Sequence, residues 1–289
     1  MPDLNIVPPA VGYVIAGVFG AIIGSFLNVV IHRVPLEESI VFPNSRCASC
    51  GGAIAFYDNI PVLSWVMLGA KCRSCKERIS IRYPAVELLT AALFVGVAWH
   101  AGLSAALPFE LIFASAMLTL VFIDAEHMIL PNVITYPGIV FAVVARIAIP
   151  YLTGTPHFDD LPSLQHGALA DMPIWVVSLA GALIGALIGG GSLWLMGWTW
   201  EKLRGIEAMG LGDVKMMFMV GAYLGWRLTI LTIFVGVLSG SVIGILLMAR
   251  KGQRNMQMLL PFGVFLGLGA VAALLFGAPL VEWYAGQFR

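Results

Sequence analysis

The sequence predicts an all-α polytopic membrane protein with about eight transmembrane helices and one long cytosolic loop between the first two. Of its 289 residues, 60% are hydrophobic and only 11% are charged, whereas about a quarter of the residues in a soluble domain are charged. The mean hydropathy is +0.92. Two further observations, the lengths of the apolar segments and the distribution of Lys and Arg, support the same class.

Eight apolar segments are long enough, or nearly so, to cross about 30 Å of hydrocarbon. The sixth segment is short for a full span. The N-terminus has neither a basic region nor a small-residue cleavage site, so we expect the first segment to remain as a transmembrane helix. The expected spans lie near 10–31, 85–103, 107–124, 133–151, 173–199, 214–226, 228–249 and 259–281.

The basic residues orient these spans. Three loops hold thirteen of the sixteen Lys and Arg residues, whereas loop 152–172 holds three aspartates and no basic residue. With eight spans the three basic loops fall on one side, which the positive-inside rule makes the cytosol. Both termini are then outside. The three basic loops are 32–84, 200–215 and 250–258.

This topology divides the chain into three parts. Residues 1–31 form the first transmembrane helix, and residues 32–84 form a cytosolic loop with four cysteines. Residues 85–289 form a seven-helix membrane domain that carries a pair of aspartates.

Two aspartates lie at the same predicted membrane depth, although about ninety positions separate them. Asp124 ends the third span and Asp213 begins the sixth. An ionisable group at this depth is costly and indicates function. Gly210 and Gly212 permit unusual backbone and close approach, and Pro131 disfavours helix in the residue before it. Such broken backbone is tolerated at membrane depth where it is buried in protein or lines a cavity.

Two neighbouring carboxylates share one proton, because both cannot ionise cheaply. One can then activate a water while the other protonates a carbonyl or a leaving amine, which is the chemistry of an aspartic protease. The pair titrates as one unit. Glu126 points to nearly the opposite helix face from Asp124, Glu207 lies outside the sixth span, and both rank below the aspartates. His127 is interpreted as a loop residue and Lys215 as a cytosolic anchor.

The cytosolic loop contains two C-x2-C pairs separated by 21 residues: Cys47, Cys50, Cys72 and Cys75. Four thiolates suit a closed, tetrahedral, structural Zn²⁺ site, and the metal would replace a core that about fifty residues hardly supply. Disulfides are the alternative, but they rarely persist in the cytosol. The chain lacks the H-E-x-x-H pattern of a zinc protease. It also shows no nucleic-acid signature beyond this basic loop.

Several motifs together resemble the type IV prepilin peptidases, the bacterial GxGD membrane aspartic proteases. The motifs are "GSFLNVVIHRVP" (24–35), both cysteine pairs, "ISIRYPAVE" (79–87), "FIDAEHMILPN" (122–132), "MGLGDVKM" (209–216) and "LPFGVFLGLG" (260–269). The resemblance implies that Asp124 and Asp213 are catalytic. Asn132 stands where some relatives have Asp, which leaves both catalytic positions intact.

The resemblance also implies a substrate and a second activity. Such enzymes remove the short basic leader of type IV prepilins and pseudopilins at the cytosolic face of the bacterial inner membrane. Many then methylate the new N-terminal amine with S-adenosylmethionine, an activity that the family places with the cysteine loop. The sequence has no Rossmann-type cofactor site, so it assigns no cofactor-binding residues.

Two other readings remain open from the sequence alone. Broken helices and a buried carboxylate pair also suit a proton- or cation-coupled secondary transporter. No internal repeat is evident at corresponding positions, however, and a transporter has no need of the cysteine loop. A zinc-organised scaffold of a secretion machine, without catalysis, is the third possibility.

Overall fold

The structure is a computed structural model that describes residues 8–47, 49–154, 169, 171–205, 209–251 and 260–287. Within these segments the chain is helical and has no β-strand beyond two isolated β-bridges. Most of the predicted loops 152–172 and 250–258 lies outside the described residues, as does Glu207.

Nine α-helices are described. A π-helical turn, Leu187–Gly191, joins the sixth helix to the seventh, and short 3-10 turns cover Val34–Leu36 and Phe56–Asn59. The α-helices are α1 (Pro9–Arg33), α2 (Leu63–Met67), α3 (Arg82–Ala101), α4 (Leu107–His127), α5 (Asn132–Thr153), α6 (Ile174–Ala186), α7 (Ser192–Arg204), α8 (Leu211–Lys251) and α9 (Phe262–Gly286).

Seven helical segments within the described residues are long and apolar enough to cross a membrane. They confirm the all-α, multi-pass membrane class. The predicted fifth span corresponds to α6, the π turn and α7 taken together, and the predicted sixth and seventh spans both fall within α8. The segments number seven because α8 includes two of the eight predicted spans.

Helix α8 is nevertheless broken at Gly225, whose backbone is non-helical (φ 79°, ψ 176°). A Cβ atom added to Gly189 would contact both the Met217 carbonyl oxygen and Thr229 Cγ2, the latter at 3.0 Å. In an unbroken α-helix, two residues twelve positions apart are about 18 Å apart. The chain therefore reverses at Gly225.

The reversal gives α8 two arms that lie side by side, 211–224 and 226–251. Both arms are apolar, and the break at Gly225 lies one residue before the end of the predicted sixth span, 214–226. Glycine suits position 225 because the positive φ of this turn is strained for other residues. The predicted sixth span is short because the first arm of α8 is itself short.

The chain forms two compact units, Met1–Ser115 and Ala116–Arg289. In the first unit α1 and α3 run antiparallel at close range. A Cβ atom on Gly24 would lie 2.7 Å from Glu87 Cα, and one on Gly20 would lie 2.8 Å from Ala91 Cα. Small residues of this kind let helix backbones pack closely in lipid.

The second unit packs α5, α6 and α9 against the two arms of α8. Gly185 on α6 meets the backbone of Gly221 on the first arm directly. A Cβ atom on Gly269 of α9 would lie 2.7 Å from the Thr232 carbonyl oxygen of the second arm. Helix α4 also reaches α9, because a Cβ atom on Gly267 would lie 2.5 Å from Val121 Cγ2. These contacts bring the end of α4 and the start of α9 to the level at which α8 begins.

Candidate active site and metal centre

Asp124 lies in the last turn of α4, where the helix ends. The Met128 N–H donates to the Asp124 carbonyl oxygen (2.9 Å), and Met128 has a left-handed backbone (φ 54°) that stops the helix. Pro131 is extended (ψ 134°) and precedes the first residue of α5. The Asp124 side chain is only 5% exposed, so it points into the protein.

Asp213 lies in the first turn of α8, which begins directly after the G-x-G pair. Its backbone N–H donates to the Gly210 carbonyl oxygen (3.1 Å). A Cβ atom on Gly212 would lie 3.0 Å from Leu130 Cβ. Gly212 therefore lets the start of α8 approach the segment that leads from α4 to α5, the segment that contains Pro131.

The two carboxylates meet beside Gly263, in the first turn of α9. A Cβ atom on Gly263 would lie 2.8 Å from Asp124 Oδ2 and 3.0 Å from Asp213 Oδ1. The separation of these two oxygens therefore cannot exceed the sum of those distances. The structure thus brings together the two aspartates that the sequence paired, and it adds a glycine whose missing side chain leaves room for both.

Helix α9 also supplies a hydrogen bond. The Val264 N–H donates to Asp124 Oδ2 (2.9 Å), and Pro261 precedes the helix. The first N–H groups of a helix have no partner within the helix, and its N-terminus carries a partial positive charge. Asp124 therefore accepts a bond from a group suited to a carboxylate, which distinguishes it from Asp213.

Sequence reasoning missed the roles of Gly263 and Val264. The signal was present in "LPFG", a proline followed closely by a glycine at the start of an apolar helix. That pattern predicts a helix start, but nothing in it predicts which side chain the helix start will meet.

His127 and Lys215, which are near the aspartates in sequence, each lie close to another polar side chain. His127 Nε2 is 4.0 Å from Glu126 Oε2, and both side chains are about one-third exposed. Lys215 Nζ donates to Asn132 Oδ1 (2.8 Å) and lies 5.0 Å from the centre of the Tyr136 ring. Lys215 therefore connects the first turn of α8 to the first turn of α5.

The four cysteines of the loop converge, although they come from pairs far apart in sequence. Their sulfur atoms all lie within 4.8 Å of one another, and Cys47 Sγ is 3.8 Å from Cys75 Sγ. Four sulfurs at the usual Zn–S distance sit at tetrahedron corners roughly 3.8 Å apart. All four are free thiols. This set can hold a metal ion.

The two cysteine pairs lie in two separate turns of the same kind. The Cys47 N–H donates to the Gly52 carbonyl oxygen (2.9 Å), and the Cys72 N–H donates to the Glu77 carbonyl oxygen (2.8 Å). Each turn is closed by one antiparallel β-bridge and contains one residue with positive φ, Lys76 in the second turn. The loop is therefore a repeated ligand-bearing turn, with the second copy 25 positions after the first.

The pKa values of two of these thiols shift in opposite directions. Backbone N–H groups of Cys50 and Ser49 lower the pKa of the Cys47 thiol to about 6. At Cys75 the Glu77 N–H favours the thiolate, but desolvation and the three neighbouring thiols outweigh it and raise the pKa to about 12. A bound metal ion would deprotonate all four thiols and compensate the charge of the resulting thiolates.

Comparison with known proteins gives matches along most of the chain. The model of the "Bacterial Peptidase A24 N-terminal domain" matches residues 18–101, and that of the "Type IV leader peptidase family" matches residues 111–245. No solved structure matches this chain.

Three relatives named "Prepilin leader peptidase/N-methyltransferase" illustrate the similarity. The protein of Myxococcus xanthus is 40% identical over 236 residues, which cover 82% of this chain and 63% of the relative. That of Pseudomonas aeruginosa is 34% identical over 288 residues, covering 92% of this chain and 90% of the relative. That of Dichelobacter nodosus is 35% identical over 301 residues, covering 94% of each chain. The chain thus spans less than two thirds of the Myxococcus relative but nearly all of the other two.

Proposed function

This chain belongs to the type IV leader peptidase family, and we propose that it is a prepilin leader peptidase and N-methyltransferase whose catalytic residues are Asp124 and Asp213. The observation that carries the proposal is the meeting of both carboxylates at Gly263. Each carboxylate stands at a helix end of an apolar, multi-pass membrane protein, in a position where a membrane-embedded acid indicates function.

The hydrogen bond from Val264 supports different roles for the two acids. Asp124 accepts this N–H and is the ionised member that takes a proton from the attacking water. Asp213 holds the shared proton and gives it to the carbonyl oxygen of the scissile peptide as the water oxygen bonds to the carbonyl carbon. The tetrahedral intermediate then collapses as the proton on Asp124 passes to the leaving amine. One hydroxyl of the intermediate returns its proton to Asp213 as the new carboxyl group forms.

The substrates in this proposal are type IV prepilins and pseudopilins, whose basic leader is removed. A pilin-like substrate offers an apolar helix that can lie against the membrane spans, with its scissile bond at their cytosolic ends. The enzyme would act in the bacterial inner membrane with its catalytic side in the cytosol, an orientation supported by the basic residues of loop 32–84.

The cysteine loop has a separate role in the proposal. Cys47, Cys50, Cys72 and Cys75 hold one structural Zn²⁺, because four thiolates leave no open coordination position for catalysis. S-adenosylmethionine supplies the methyl group for the new N-terminal amine. The division into a first helix (1–31), a cytosolic zinc loop (32–84) and a membrane domain (85–289) is part of this proposal.

A direct assay tests the proposed function. The purified protein in detergent is incubated with a prepilin, first alone and then with S-adenosylmethionine, and the products are weighed by mass spectrometry. We expect loss of the leader, followed by a gain of one methyl group on the mature chain. The proposal would be contradicted if the prepilin stayed intact while a known family member cleaved prepilin from the same preparation. A transporter or a scaffold would then return to consideration.

A further inference from the structure

Two of the motifs that mark the family are not used by the aspartate site, and they meet at a cavity in the first unit. The cavity has a volume of about 540 Å³ and lies between α1, α3 and the cysteine loop. Ser25 and Asn28 of "GSFLNVVIHRVP" line it from α1, and Glu87 of "ISIRYPAVE" lines it from α3. Small-molecule sites commonly have volumes of about 300–1,000 Å³.

Asn28 presents an unsatisfied acceptor at this cavity. Its side chain is 2% exposed, and its Nδ2 donates to the carbonyl oxygens of Tyr83 (3.0 Å) and Gly24 (3.3 Å). These two carbonyls fix the amide orientation, because a flipped amide would turn its oxygen toward them. Oδ1 is buried without a hydrogen-bond partner. A buried acceptor left unpaired costs about 1–3 kcal/mol, so its retention indicates a ligand that donates to it.

Glu87 adds a negative charge to the same wall. The residue is 8% exposed, and its Oε2 accepts the Val62 N–H at 2.7 Å. Within the described residues it makes no ion pair with Lys or Arg. A buried carboxylate normally has a cationic partner, since an unpaired buried charge is expensive.

Aromatic side chains complete the cavity. Tyr57, Trp65 and Tyr83 all line it, and aromatic faces attract ammonium and sulfonium groups. A carboxylate, an unpaired carbonyl oxygen and aromatic rings together favour a cation. Arg33, Arg46, Arg73 and Arg78 also line the cavity and suit an anionic group on the same ligand.

We propose that this cavity is the methyl-transfer site, in which the Glu87 carboxylate and Asn28 Oδ1 receive a cationic reactant. This inference rests on the proposed N-methyltransferase function, in which both reactants are cations. The pilin contributes an N-terminal ammonium, and S-adenosylmethionine contributes a sulfonium and an ammonium. The shared chemistry is recognition of such a cation at the buried end of the cavity.

The reaction balances with the residues named. The N-terminal ammonium gives one proton to the Glu87 carboxylate, and the neutral amine attacks the methyl carbon of the sulfonium. The N–C bond forms as the C–S bond breaks, and the electron pair of the broken bond stays on sulfur, leaving a thioether. The product is a methylated ammonium, and protonated Glu87 releases its proton to water.

The test uses the full-length protein with its metal. Binding of radiolabelled S-adenosylmethionine is measured by equilibrium dialysis. Methyl incorporation into an already cleaved pilin is measured as the concentration of that pilin is varied. The variants are Glu87→Gln, which keeps the shape of the side chain, and Asn28→Leu. Matched controls are Glu110→Gln, a buried acid on α4, and Thr90→Val, a buried polar residue on α3; neither residue lines the cavity.

We expect each cavity variant to weaken the binding of one reactant by about tenfold or more, which corresponds to about 1.4 kcal/mol. The controls should stay within about twofold of the wild type. Weaker dialysis binding identifies the sulfonium donor as the ligand, and a raised KM for pilin alone identifies the ammonium. Leader cleavage serves as the test of folding in every variant. If Asn28→Leu also loses cleavage, the decision rests on the isosteric Glu87→Gln variant.

Glu87→Gln protein that cleaves normally and uses both reactants like the wild type would overturn the inference while leaving the proposed function intact. A wild-type protein that cleaves prepilin but neither binds S-adenosylmethionine nor methylates pilin would instead contradict the N-methyltransferase half of the proposed function.

Discussion

The aspartate site and the cysteine loop are both polar sites in an apolar chain, but they are built in opposite ways. The aspartate site collects Asp124, Asp213 and Gly263 from the ends of three helices, and a hydrogen bond joins Asp124 to Val264, 140 positions away. The cysteine loop places its four sulfurs with two copies of one local turn. The first site therefore depends on helix packing, whereas the second depends on local spacing and can hold a metal ion.

This difference teaches where each site is vulnerable. The helix ends at the aspartate site are closely packed, so a single methyl group added at Gly263 would displace the aspartate side chains. The four thiols come from two local turns, so loss of a bound metal would act first on the folding of the loop itself. We therefore expect leader cleavage and methyl transfer to be separable.

The largest effect should come from Asp124→Asn and Asp213→Asn. Each change removes one half of a unit that shares a proton, so we expect cleavage to fall by about a thousandfold or more, with the double variant no worse than either single variant. Methylation of an already cleaved pilin should persist. Prepilin processing and radiolabelled methyl incorporation measure the two activities, and near-normal cleavage by either single variant would exclude that residue from catalysis.

Gly263→Ala should have the next largest effect, because the new Cβ would lie within 3.0 Å of both carboxylates. We expect cleavage to fall by about a hundredfold, the cost of a misplacement of roughly 1 Å at a catalytic group. Gly286→Ala, on the same helix with open space around it, is the control. Equal cleavage by the two alanine variants would show that the carboxylates do not need this gap.

The cysteine loop should show the reverse pattern. Cys72→Ser leaves three ligands, so we expect the bound metal to fall from about one ion per chain and the loop to lose much of its folding energy. Methyl transfer should then decline more than cleavage. Metal analysis of the purified protein gives the first result, and the paired assays give the second. A disulfide at full occupancy in anaerobically prepared protein would contradict the metal site.

Equal loss of both activities in Cys72→Ser would also be informative, because it would mean that the loop and the membrane helices act as one cooperative site. The comparison between the two regions would then fail, whatever metal the loop holds.

The smallest effect should come from Lys215→Met. Its bond to Asn132 Oδ1 is polar and partly exposed, and such a bond contributes about 1 kcal/mol. We expect cleavage to fall about fivefold or less, as α8 loses a tether to α5. Asn132→Ala should match it, and the double variant should add nothing. An additive double variant would show that the two side chains act independently.

Much of this architecture follows from the sequence alone. The apolar segments predicted the membrane helices because burying polar backbone in lipid requires helices. The C-x2-C spacing predicted the sulfur cluster, since each pair needs only its own turn. Charge cost at membrane depth singled out Asp124 and Asp213. Each of these signals lies within a short stretch of chain.

Tertiary packing alone decided the rest. The break at Gly225 makes two arms from one apolar run, and hydropathy cannot distinguish a reversal from a continuous helix. Gly263 and Val264 meet the aspartates only because α9 packs antiparallel to α4 and to the second arm of α8. Asn28 and Glu87 face one cavity because glycines on α1 let α3 approach closely. Contacts between distant residues depend on which helix faces touch, and no local pattern in the sequence specifies that choice.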